Sequence, residues 1–156
     1  MRLVRILLLT VVGLACGEVT SAEFAHLVGR WRNPTESLRP RGSMDGLFIV
    51  SADGATENHV VTRGVYSDQS LGDLSSRSVL YGHIGIRGDK FIVTPDSLVT
   101  HDAFYGPTHR HVQRDFTGWP RDSTRYTIKG DRLFLEYYTY PADAPVLTQR
   151  VLFRDN

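Results

Sequence analysis

Four side chains able to do chemistry stand close together in the sequence: His101, Asp102, His109 and His111. His109 and His111, two apart on an extended segment, point the same way, as two ligands on one face of a metal site must. His101, or His83 from across a sheet, offers a third ligand, which makes this segment the candidate metal centre. No HExxH and no paired cysteines support that reading, and exposed strand histidines are the plainer one. The same residues are candidates for general acid–base work, as His101 with Asp102, or Tyr137 with Glu136. Adjacent strand residues face opposite ways, so neither pair converges without a bulge. Covalent or phosphate-handling chemistry has less support: there is no G-x-S-x-G elbow, and "RGDK" and "KGDR" are hairpin turns rather than phosphate loops. No cofactor is expected.

The elements that must position these residues are strands. Apolar and β-branched runs of strand length are punctuated by turn residues at short spacing, and no segment has helical periodicity. The runs predict strands at 28–33, 46–51, 59–66, 79–87, 90–94, 98–101, 109–116, 123–129, 132–140 and 146–153, about ten in all, the count of a barrel or sandwich. "GIRGDKFIV" and "TIKGDRLFL" repeat one hairpin design, with Gly-Asp between basic residues as a tight antiparallel connection. "SADG" and "YPADAP" are further turns. The polar stretch 66–79 reads as a lid over a barrel mouth or as an ordinary long connection.

Alternation along the strands suggests what faces an interior. In the last strand Leu147, Val151 and Phe153 share a face with Gln149, while Thr148, Arg150 and Arg154 lie opposite, which predicts one wet face. In "RLFLEYYTY" both faces carry apolar area, so either one suits a cavity. Tyrosines aimed inward would line a pocket of mixed polarity, and the candidate ligand-binding residues are Tyr81, His83, Tyr126, Leu135 and Tyr137.

With 156 residues, 41% hydrophobic and 22% charged, the chain is one ordinary folded domain. Its net charge of +1 includes Arg2 and Arg5, and this near balance argues against a nucleic-acid partner. "MRLVRILLLTVVGLACGEV" has the charged start, short apolar run and small-residue end of an export signal, too short for a stable bilayer anchor. Residues 1–22 are therefore read as leader and 23–156 as the domain. Cys16, the only cysteine, lies in "GLAC", which resembles the bacterial lipobox with Gly13 where leucine is usual. Lipidation there would give membrane contact through an anchor alone, whereas cleavage after Ala22 would release the protein. The absence of disulfides and of N-x-S/T sequons fits the periplasm or membrane face of a bacterial envelope.

"LVGRWRN", "GLFIVSADGAT", "YGHIGIRGDKFIVTPDS" and "FTGWPRDSTRYTIKGDRLFLEYYTYP…LTQRVLFR" follow one another in an order that resembles the bacterial lipocalin-like domain family, over roughly residues 26–154. The segment "THDAFYGPTHRHVQRDF" departs from that pattern, being longer and richer in histidine. The resemblance implies an all-β fold, an antiparallel lipocalin-like β-barrel of about 8–10 strands. It also implies that Gly29 and Trp31 close one end of the barrel, with Arg150 or Arg154 stacked on the indole. Function then belongs at the other end. The favoured expectation is a noncatalytic binder of a small hydrophobic molecule, its oligomeric state left open. The alternatives are an isomerase, cyclase or hydrolase using the His101–His111 segment, and a structural or interaction lipoprotein with a filled barrel.

Overall fold

The computed structural model describes residues 23–103, 108–119, 123–139 and 144–155. The expected leader and Cys16 lie outside the described residues, as does most of the "YPADAP" turn. The described chain forms nine strands and no helix: β1 Gly29–Ser37, β2 Ser43–Val50, β3 Ala55–Arg63, β4 Leu74–Arg87, β5 Lys90–Asp102, β6 His109–Gln113, β7 Thr124–Lys129, β8 Arg132–Thr139 and β9 Val146–Arg154. Eight of them close into an antiparallel barrel in the order β4-β3-β2-β1-β9-β8-β7-β5, with β5 pairing back onto β4 and β6 added to the free edge of β5. Of the barrel or sandwich that the strand spacing allows, the fold is the all-β antiparallel barrel that the resemblance implies.

Ten strands were expected and nine are seen, because the runs at 90–94 and 98–101 belong to one strand. Pro95 lies between the two expected runs. It is tolerated inside β5 because the register against β4 slips there, between Tyr81 and Gly82, and because neither β7 nor β6 pairs with β5 at that position. β4 begins at Leu74, earlier than expected, and absorbs the second half of the supposed 66–79 loop. What remains is pinned: the Arg41 guanidinium donates to the carbonyls of Gly64, Ser67 and Gln69, and the buried Ser75 hydroxyl accepts from the Val65 amide at 2.9 Å. Residues 64–73 thus form a pinned connection between β3 and β4, and none of them lines the barrel cavity.

Both seams that close the barrel are short, and both lie at the same end. β1 meets β9 at Trp31↔Arg154 and Arg32↔Phe153, extended by the Asp155 amide donating to the Arg30 carbonyl at 2.8 Å. β5 meets β7 at Lys90↔Arg125 and Phe91↔Thr124, extended by the Tyr126 amide donating to Asp89 at 2.9 Å. Toward the other end the paired strands part. A bulge between Asn33 and Glu36 marks the divergence in β1.

The core fills the sealed end. The turn at 23–27 tucks Phe24 and Leu27 beneath Trp31, and Phe48, Val50, Ile84, Phe91, Leu133 and Leu152 complete the cluster. Trp31 has no exposed surface; its Nε1 donates to the Leu27 carbonyl at 2.8 Å, which satisfies the one polar atom the burial would otherwise strand. The Arg154 guanidinium lies over the indole, 4.1 Å from the ring centre, and donates to the Val28 carbonyl at 3.0 Å. Gly29 makes room for this arrangement: its φ is +135°, and a Cβ there would stand 2.7 Å from Nη1 of Arg154.

Candidate functional site

Where the seams part, the interior is hollow. A cavity of about 250 Å³ opens toward the splayed end, small against the roughly 300–1,000 Å³ of drug-sized sites. Its floor is apolar and continuous with the core: Phe48, Phe91, Val93, Leu135 and Leu152. Phe48 and Phe91 stack there with ring centres 5.9 Å apart. Its wall is polar: Asn58 and Thr124 stand opposite Phe48 and Phe91 in the ladders, and Asn33, Tyr137 and Arg150 complete it.

Strand alternation explains the composition. Paired residues share a face, so Trp31 fixes the inner face of β1, and with it Arg154, Leu152 and Arg150 on β9 and Leu133, Leu135 and Tyr137 on β8. The expectation of one wet face on β9 needs correcting, because the Thr148/Arg150/Arg154 face turns inward. The face carrying Leu147, Val151 and Phe153 turns outward. Phe153 is 37% exposed, roofed by Arg132 at 5.5 Å from its ring centre, and Lys129 lies similarly over Phe134 on β8. Basic stems from the end of β7 and the start of β8 thus cover the outer aromatics.

Of the two arginines expected near the indole, Arg154 is the one that stacks, and Arg150 stands two inward positions further up, in the cavity. Arg150 meets Glu36 only at 4.0 Å, while the nearer Glu36 oxygen accepts a 2.8 Å bond from the Asn33 amide. Burial raises the Tyr137 phenol above its ordinary value; Arg150 works against that and Glu36 with it.

The other residues expected at a ligand site are placed variously. Leu135 and Tyr137 line the cavity. Tyr126 points inward but belongs to the sealed end, where it stacks on His26 and meets its Nε2 at 2.8 Å. Burial raises its phenol as well, with Asp89 adding to the effect. Tyr81 and His83 do not reach the cavity: they share the parity of Val79 on the outer face of β4, where His83, 63% exposed, holds Asp96 at 2.8 Å.

The histidine segment does not converge either. His109 stands opposite Asp102 and His111 opposite Thr100, but His101 stands opposite Arg110 and so on the other face of the sheet. Among the described residues no group of three or more His, Cys, Asp or Glu is placed to hold a metal ion. Glu136 and Tyr137 likewise diverge; Glu136 faces outward and takes Arg125 at 3.1 Å.

A second space of about 660 Å³ lies where β5 is paired by neither β6 nor β7, between Val93, Thr94 and Pro95 and the segment 114–119. There Phe116 meets Trp119 edge-on at 5.0 Å, and Thr117 hydrogen bonds hold the Asp115 carboxyl below its usual range. Leu80 and Val93 border both spaces, so the gap in the wall adjoins the main cavity.

Sequence reasoning missed Asn33, Glu36, Phe48 and Asn58, and assigned Arg150 to the wrong end. One signal was available: Arg150, Leu152 and Arg154 share parity, so stacking Arg154 on an interior tryptophan commits Arg150 to the interior as well. Comparison with known proteins adds no family to this geometry: no protein-family model matches the chain, and no curated protein matches it significantly. What the residues establish is an all-β, eight-stranded antiparallel barrel with one extra strand, plugged at one end and hollow at the other.

Proposed function

We propose that this protein is a noncatalytic carrier of a small, largely hydrophobic molecule, lipocalin-like in kind and exported to a bacterial envelope. The cavity carries the reading: a roughly 250 Å³ space with an aromatic and aliphatic floor, open at one end of a sealed barrel, suits a compact apolar molecule with a polar head. The order of the family-like motifs supports the lipocalin kinship, and the leader supports export, with lipidated Cys16 as the tether. A filled structural barrel fits less well, since the strands part just where the polar wall begins.

Native mass spectrometry of the protein from its own host's envelope, N-terminus intact, tests this reading. The expected spectrum contains an added mass that is lost on denaturation. A bare polypeptide that also takes up no apolar probe would contradict the carrier role.

A further inference from the structure

Resting on that carrier reading, we propose that the molecule held is an organic acid, its carboxylate received by Arg150 and Tyr137 and its short apolar tail laid on Phe48, Leu135 and Leu152. Two observations carry the proposal. First, the cavity has an apolar floor and a cation in its wall, the two surfaces an amphipathic anion requires. Second, that cation is poorly satisfied. Its one ion-pair partner among the described residues is Glu36 at 4.0 Å, beyond hydrogen-bond reach, and Glu36 is already engaged by Asn33. Arg154, two inward positions away, shows the contrast: its guanidinium is spent on an indole and on the carbonyls of Val28 and His26.

The planar fork of a single guanidinium matches a carboxylate in geometry and in charge, and the Tyr137 hydroxyl on the same wall can donate to the second oxygen. Size follows from volume. At roughly 30 Å³ for each water-sized group, the space takes about eight such groups. The roughly eight carbons of octanoate fill it, with the two carboxylate oxygens at the mouth. Glu36 repels that head, so the native site is a compromise between holding Arg150 in place and leaving it available.

Calorimetric titration of the full protein with octanoate and with octan-1-ol tests the inference and the reading beneath it separately. Both probes are expected to bind. Arg150→Gln should weaken octanoate about tenfold or more and octan-1-ol by clearly less, since only the carboxylate loses a charged partner. Glu36→Gln, a change at a half-exposed site that leaves the core untouched, should tighten octanoate severalfold and leave octan-1-ol unchanged. Octan-1-ol binding with octanoate excluded, or octanoate indifferent to both substitutions, overturns the acid assignment and spares the carrier reading. Failure of both probes overturns the carrier reading and this inference with it.

Discussion

At the sealed end of the barrel Trp31 and Leu133 have no exposed surface, whereas two residues further along the same strands Asn33 and Leu135 face a cavity. The sheet, the inner face and the alternation are the same at both ends. What differs is whether the strands meet. Where β1 reaches β9 and β5 reaches β7, backbone pairing brings inner side chains within packing distance and the interior fills. Where those pairs separate, the same inner face has no opposite number, and polar side chains are accommodated by partners, as the buried Asn33 is by donating to Glu36 at 2.8 Å. The two arginines of β9 display the difference: Arg154 is consumed by the plug and Arg150 remains available to a ligand.

The largest effect expected from breaking this contrast is at the plug. Trp31→Ala removes the centre of the cluster, the bond to Leu27 and the surface on which Arg154 rests, so denaturant unfolding should show a loss of about 3–5 kcal/mol. A loss below about 1 kcal/mol would show that the closed end does not depend on it. A sharper comparison uses one strand and one substitution. Leu133→Ala should cost about 2–5 kcal/mol, and Leu135→Ala about 1 kcal/mol, because Leu135 already borders empty space and gives up less packing. Equal losses would mean that the two ends are packed alike.

The smallest effect is one of pH. Tyr126 and Tyr137 both have phenols raised above 10 by burial, so the folded state holds their protons more tightly than the unfolded chain does. Their contribution is fully present below pH 10 and is lost as pH rises through the raised folded values. Stability measured across the alkaline range should therefore fall above pH 10, and Tyr126→Phe with Tyr137→Phe should flatten the fall. An unchanged slope in the double variant would assign the alkaline loss to other groups.

Much of the fold was legible because it is written in local patterns. Gly-Asp hairpins and strand-length apolar runs specify antiparallel neighbours, and these appear as β4–β5 and β7–β8. That 90–94 and 98–101 form one strand was not legible, because a proline between them removes a ladder donor and only the tertiary arrangement shows that the ladder is already interrupted there. The cavity was less legible. Which face of β9 turns inward depends on its pairing with β1, residues more than a hundred positions away, and the apolar count of Leu147, Val151 and Phe153 pointed to the wrong face. Tyr81 and His83 misled for the same reason, since the parity of β4 is set by the core contacts of Ile84 rather than by the chemistry of its neighbours. The histidines at 101, 109 and 111 were near in sequence, yet one residue of register puts His101 on the opposite face.

The central claim, a barrel plugged at one end and ligand-accessible at the other, is tested most directly by methyl-resolved NMR during titration with octan-1-ol. The account predicts that the methyl signals of Leu135, Leu152 and Val93 shift progressively with probe while those of Leu27 stay fixed. Shifts confined to the outer leucines and valines of β9, or spread equally to Leu27 and Leu133, would contradict it.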